Sequence, residues 1–395
     1  LMSGFFVVGE KKERPGVYKR YENAGGAEAA GARSGVGCAL VTGNWGALNT
    51  PVTIDQSTDI SSVIGAGSGH DAITAFMAGG MEECVVVRVG TGGTPATITL
   101  KDTTASTAVD AVVLTALYPG NRAFTITVKA SLDDETAKEA TIYEGTKALE
   151  KVTFAAGKTE VDGIVAAFAN SKYVKATKKA PGNGTLADIT QKAFTTGTNP
   201  IATAAAYGEA ANASEAEVRD MIIVDTNDAA VHTLIATHVA RVFQEGAYTM
   251  ATVAEPSSVA IETRMQHAAA FNDEKIHYVL NPYIGTDGVE YEGYMLAARI
   301  GGLICAGAAN ASLTHTVISG AAGLKETLNS GTIKKALKSG CLVLSTSKSK
   351  QVWIEKAINT LVTLSKDQDA GWKKIRRVKE RFELMDRVEQ TTEVL

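Results

Sequence analysis

Apolar positions along this chain recur with two different periods. From about 37 to 90, and again from 221 onward, short continuous apolar runs alternate with longer segments whose apolar residues return every three to four positions. That texture predicts strands over 37–42 and 84–89 with a short helix over 71–78 between them. It then predicts a strand over 221–225, a helix over 228–244, a strand over 248–254, a helix over 258–270 and a strand over 276–280. A helix crowded with small residues follows in 291–315, where Gly301, Gly302, Ala306, Gly307, Ala308 and Ala309 suit close backbone approach rather than burial of large side chains. Beyond Gly323 the pattern predicts a short helix, a strand pair over 341–345 and 351–354, and two further helical stretches.

Between 94 and 198 the period changes to two. Thr, Val and Ala alternate at 96–100, 123–128, 140–145 and 151–154, and the turn strings Tyr118-Pro119-Gly120-Asn121 and Pro181-Gly182-Asn183-Gly184 separate the runs. A β-rich insertion with a short helix over 161–169 is expected there. Residues 1–33 carry little apolar periodicity and are expected to form an extended arm. The expected fold class is α/β in an α+β multidomain chain. A layered α/β core is built from 34–93 plus 199–325, the β-rich domain spans 94–198, and a small α+β C-terminal domain spans 326–395.

Composition narrows the function. The 395 residues exceed what one core usually serves, so two to four domains are expected. A net charge of -4 and a pI near 6.0 give no overall basic footprint for nucleic acid. Cys38, Cys84, Cys305 and Cys341 lie far apart and mostly in apolar runs, which favours buried free thiols and assembly in a reducing cytoplasm.

Candidate chemistry is thin. Gly90-Thr91-Gly92-Gly93 follows a strand but leads into a strand-like segment rather than a helix, which argues against a dinucleotide turn. Gly157-Lys158-Thr159 has Val152 where a phosphate loop needs its first Gly, and Ser68 has Ala66 where a nucleophile elbow needs one. His232 and His238 fall about 120° apart on a helical wheel, off a common metal-binding face, with His238 expected to be packed and His232 exposed. Asp225, at the carboxyl end of a strand, is expected to cap the next helix. No catalytic, cofactor-binding or metal residue is assigned, and no cofactor is expected. One charge cluster stands out: Lys373, Lys374, Arg376, Arg377, Lys379, Arg381 and Arg387 against Glu380, Glu383 and Asp386. It is either a solvated helix face or a docking face for an acidic partner.

Taken in order, several strings resemble the contractile tail sheath proteins of phages, prophages and phage-tail-like particles. They are RPGVY at 14–18, GVGCALVTGNWGALNTPV at 35–52, ALYPGNRAFTITV at 116–128, AARIGGLICAGAANASLTH at 297–315, ALKSGCLVLS at 336–345 with VWIEKAINTLVT at 352–363, and WKKIRRVKERFELMD at 372–386. The resemblance implies a helical homopolymer around a tail tube protein, working with baseplate and tail terminator proteins, without nucleic-acid binding or membrane insertion. It implies a virion tail or phage-tail-like particle assembled in the bacterial host cytoplasm. Arg14, Pro15, Gly16, Val17 and Tyr18 become the candidate subunit-linking arm, suited to adding a strand to a neighbour's sheet. Lys373, Lys374, Arg376 and Arg377 become candidate tube-facing residues. Members of that family continue past the last string with another helix and a strand, which this chain is expected to lack. The competing readings are a receptor- or carbohydrate-binding virion surface protein and an α/β hydrolase-like enzyme.

Overall fold

The computed structural model describes residues 3–5, 17–19 and 35–393, with backbone only for the first two segments and for 389–393. Strands β1 (Ser3–Phe5) and β2 (Val17–Lys19) pair in parallel, Gly4 opposite Tyr18. Arg14, Pro15 and Gly16 of the expected arm lie outside the described residues, whereas Val17 and Tyr18 lie in β2.

The centre is a seven-stranded sheet. Its first strands are β3 (Gly37–Val41), β4 (Pro51–Asp55) and β5 (Glu83–Arg88). Helices α1 (Ile60–Val63) and α2 (Ser68–Met77) lie between β4 and β5. β4 falls in a stretch whose pattern predicts no strand. Of its five residues only Ile54 is buried, so it carries almost no apolar signal, and it joins as the antiparallel edge beside β5.

The chain then leaves the sheet to build a β-sandwich. Its strands are β6 (Thr97–Lys101), β7 (Asp110–Ala116), β8 (Thr125–Ala130), β9 (Ala137–Glu144) and β10 (Lys147–Ala155), followed after helix α3 (Glu160–Ala167) by β11 (Val174–Lys178) and β12 (Ile189–Ala193). Two sheets, ordered β10-β9-β8-β12 and β11-β7-β6, close over Ile98, Leu114, Ile126, Ile142 and Phe154. Alternation of Thr with aliphatic residues gives each strand one buried row, which is what a sheet with one solvated face requires.

Helix α4 (Ala204–Ala213) returns the chain to the central sheet, and β13 (Met221–Val224), helix α5 (Ala229–Gln244), β14 (Met250–Ala254), helix α6 (Ile261–Phe271) and β15 (Ile276–Val279) complete its parallel run. A small sheet of β16 (Tyr283–Gly285), β17 (Glu290–Tyr291) and β18 (Ala321–Leu324) encloses helix α7 (Gly293–Ala306) in sequence. After helix α8 (Ser330–Lys338) come β19 (Cys341–Leu342), the hairpin β20 (Leu344–Thr346) and β21 (Val352–Ile354), and the C-terminal helix α9 (Ile375–Glu393). The small-residue helix is thus shorter than its composition suggests, stopping at Gly307.

The central order is β19-β15-β14-β13-β3-β5-β4. Apolar side chains fill both faces: Ala39 and Val41 of β3 point to one core, Cys38 and Leu40 to the other, as expected of parallel strands covered on both sides. Residues 326–395, expected to stand as a separate domain, depart from that expectation. β19 pairs with β15, Tyr278 opposite Cys341, and Leu342, Ile354, Val378 and Phe382 fill the same core as Ile300 and Ile304 of α7. Of the two further helical stretches expected after the strand pair, none forms between β21 and residue 369. The Thr360 amide donates to the Ile276 carbonyl at 2.9 Å and the Asn359 side chain to Trp372 O at 2.7 Å, so this backbone is used between segments rather than within one.

The crossing of α2 and α7 explains the small residues. A Cβ on Gly302 would sit 2.1 Å from the Phe76 carbonyl oxygen, and one on Gly79 would sit 2.6 Å from the Gly302 backbone. Glycine at these two positions lets the helices touch backbone to backbone.

Candidate assembly surfaces

Residues that could have carried chemistry are committed to structure. Asp225 is not a helix cap; Asp228 fills that role, its side chain accepting from the Ala230 amide. The Asp225 carboxylate is buried and accepts from the Thr42 amide (2.9 Å), the Thr42 hydroxyl (2.5 Å), Ser68 Oγ (2.7 Å) and the Tyr207 hydroxyl (2.6 Å). It ties the carboxyl ends of β3 and β13 to the start of α2 and to α4. Burial and the Asp225 charge push the Tyr207 hydroxyl far up its range, so it stays a donor. His232 is buried rather than exposed, its Nε2 2.9 Å from the Thr226 carbonyl. His238 is buried as expected, facing Arg219 at 3.1 Å, and burial lowers it to about 4.

The glycine turn after β5 is the doorway to the sandwich. Thr91 bridges Ile201 and Thr94 bridges Thr198, so the outgoing and returning chains zip together. Arg88 at the end of β5 donates to the carbonyls of Gly43 (2.7 Å), Gly46 (2.6 Å) and Pro119 (2.7 Å), and burial lowers it only to about 10, leaving it charged. Trp45, from the bend after β3, packs within the sandwich core against Tyr118, Phe124 and Tyr173. The four cysteines are buried thiols, and none is in a disulfide among the described residues. Among the described residues no group of three or more His, Cys, Asp or Glu side chains is placed to hold a metal ion, and no helix is long and apolar enough to cross a membrane.

The basic cluster lies on the turn at Ala370–Lys373 and on α9. Lys373 Nζ donates to Val362 O at 2.6 Å, and Arg376 and Arg377 converge on Glu380 at 3.4 and 3.1 Å. Lys374 is exposed. Two other bases of the cluster point inward: Lys379 reaches the last carbonyls of α7, and the Arg381 guanidinium lies 3.5 Å over the Trp372 ring. Sequence reasoning overlooked Leu384 and Val388, exposed one turn apart on α9. Their i, i+4 spacing within a charged helix was the available signal.

Beside α9, at the amino ends of β13 and β14, opens a cavity of about 220 Å³. It is bounded by Gly35, residues 215–220, residues 246–250 and α9.

The doubly covered central sheet thus carries a β-sandwich inserted after β5, and β19 of the tail pairs at its far edge. Residues 201–360 match the family model for the phage tail sheath protein central domain, and 91–199 match that for the phage tail sheath protein β-sandwich domain. The chain belongs to the phage tail sheath family. Two solved structures share its fold. The sheath tail protein of Desulfitobacterium hafniense aligns with a TM-score of 0.75 at 19% identity over 95% of this chain and 82% of its own. That of Listeria innocua aligns with a TM-score of 0.69 at 24% identity over 91% and 76% respectively. No curated protein matches significantly.

Proposed function

We propose that this protein is the subunit of a contractile tail sheath. Copies polymerise around a tail tube, held at its ends by baseplate and terminator proteins, and contract to drive the tube through a cell envelope for genome or effector delivery. The match of two successive sheath-family domains, sandwich then central domain, supports this reading most directly. Work would come from exchanging one set of subunit contacts for a better one, and a gain of a few kcal/mol per subunit suffices when many copies move in series. The central sheet and sandwich, joined by Arg88 and Trp45, would move together while the terminal segments bend.

In this reading the arm at Arg14, Pro15, Gly16, Val17 and Tyr18 links subunits by strand addition, and Lys373, Lys374, Arg376 and Arg377 face the tube. Contacts of exposed charge are weak enough to hold an extended state and still release. Negative-stain microscopy of the protein, alone and co-expressed with its tube protein, tests the function: hollow striated tubes are expected, and dispersed particles in both preparations would overturn it. Reversing the charge of Arg376 and Arg377 together with Lys374 should abolish co-assembly with the tube while leaving the far-UV spectrum unchanged. Normal decoration of the tube by that variant would remove these residues from the interface.

A further inference from the structure

The two edges of the central sheet carry opposite charge. At one edge β4 pairs with β5 alone among the described residues, and Val52, Thr53 and Asp55 are exposed along it. Asp55 stands directly opposite Glu83, the first residue of β5, and Glu82 precedes it; both glutamates are exposed. Like charges directly opposite in paired strands repel. The donors that Asp55 meets, the Ser57 amide and the Ser57 and Thr58 hydroxyls, are neutral. Lys147 reaches Asp59 at 3.3 Å, and among the described residues no cation pairs with Asp55, Glu82 or Glu83.

The opposite edge is basic. Helix α8 buries Ala336 in the same core as Cys341 of β19 and leaves Lys334, Lys335 and Lys338 exposed. Among the described residues no carboxylate pairs with these three ammonium groups, and the acids Asp273 and Glu274, just ahead of β15, are held by Lys275 at 2.8 and 3.5 Å. Strands β5, β3, β13, β14, β15 and β19 all run the same way. Glu83 starts β5 and Lys338 lies three residues before the start of β19, so both charged corners sit at the amino end of the sheet. Six strand spacings, about 29 Å, separate β19 from β4, too far for the lysines of one copy to reach its own acids.

We propose that the open β4 edge, with Asp55, Glu82 and Glu83, docks against the α8 lysines of a second copy of this chain, so that neighbouring sheets stand edge to edge in a head-to-tail row. Because both corners lie at the same end of the sheet, a neighbour in the same orientation brings base against acid. A two-fold pairing of β4 edges would set acid against acid. A head-to-tail contact leaves one acidic and one basic edge free at the ends of a row, so the row propagates or closes into a ring. The inference rests on reading the protein as a polymerising sheath subunit and adds which faces meet.

Carbodiimide cross-linking tests it, on protein assembled alone or with its tube protein from an equal mixture of unlabelled and isotopically labelled chains. Cross-linked peptides should join Glu82 or Glu83 to Lys334, Lys335 or Lys338, in mixed-isotope pairs that only two different copies can give. Lys334→Glu/Lys335→Glu/Lys338→Glu and Glu82→Lys/Glu83→Lys should each raise the concentration at which polymer appears by about tenfold or more. The two sets combined in one chain should bring it back to within about threefold, since reversing both partners keeps the attraction. The cross-linking uses the unaltered chain, so it decides the matter if a variant fails to fold. Tubes that form without these cross-links, or a combined variant as impaired as the worse of its parents, would overturn the contact and leave the sheath reading standing. Wild-type protein that stays dispersed at every concentration, alone and with the tube protein, would overturn both.

Discussion

Lys379 Nζ lies 2.5 Å from the Ile304 carbonyl oxygen and also reaches the carbonyl of Gly307, so a half-buried ammonium closes the carboxyl end of α7 from a helix seventy residues further along the chain. The end of a helix concentrates unpaired carbonyls and partial negative charge, and a cation there answers both. Burial lowers the Lys379 ammonium below its ordinary range, but the carbonyls hold it in place.

Lys379→Met keeps the stem and removes the donors. Hydrogen bonds to a charged group contribute about 1.5–3 kcal/mol each, and the carbonyls would be left without this partner. A loss of stability of about 2–3 kcal/mol is expected in urea unfolding. A change below about 0.5 kcal/mol would show that water replaces the ammonium at no cost.

Gly302→Ala tests the backbone contact between α2 and α7. Its Cβ would need the space of the Phe76 carbonyl, and helix backbone cannot yield as a flexible side chain can. Overpacking of this kind costs about 1–3 kcal/mol or more, and poor solubility is the expected extreme. Gly323→Ala, where nothing lies within 4 Å of the new methyl, is the control and should unfold within about 0.5 kcal/mol of the parent.

Asp225→Asn removes one charge from a carboxylate that accepts four hydrogen bonds. The amide can present only one acceptor oxygen, so at least one buried donor among Thr42, Ser68 and Tyr207 is stranded. A loss of about 1–3 kcal/mol is expected by chemical denaturation. Full stability in this variant would mean that the cluster rearranges around the amide.

Acid should unfold the protein earlier than its carboxylates alone require. Burial lowers His277 to about 3 and His238 to about 4, and lowers His232 as well, from an ordinary value of 6.5. The unfolded chain therefore takes up protons below about pH 6.5 that the folded chain refuses, so this contribution is complete above that pH and declines as pH falls toward 4 and 3. At pH 5, His277 alone should cost about 2 kcal/mol relative to pH 7.5. Urea midpoints compared at the two pH values measure the effect, and His277→Gln should flatten the slope. An unchanged midpoint would contradict the burial of these rings. Asp102, whose carboxylate is held down to about 2 by Thr104 and by the Val109 and Asn183 amides, adds a further loss below about pH 4, with the same sign.

The strands over 37–42 and 221–225, the helix over 228–244 and the two-residue rhythm of the sandwich were all visible in the chain because period records which face of an element is buried. The closeness of α7 to a neighbour was visible too, since only small residues permit it. β4 was not, with one buried side chain in five; nor was the tail's place in the central core, because the pairing of Tyr278 with Cys341 joins segments sixty residues apart.

The same division holds for the assembly surfaces. Local sequence located a basic terminal helix, because charge is a property of each residue. That Lys379 and Arg381 turn inward while Lys374 stays outside depended on where α7 and Trp372 came to lie. Asp225 makes the point most simply: as a residue it predicted a cap, but three of its four donors come from Thr42 and Ser68, more than 150 residues away in sequence. The sequence by itself determined most of the elements and the family resemblance. Only the tertiary structure decided which polar groups were enclosed and with what partners, because burial and hydrogen bonding depend on long-range packing that no local period encodes.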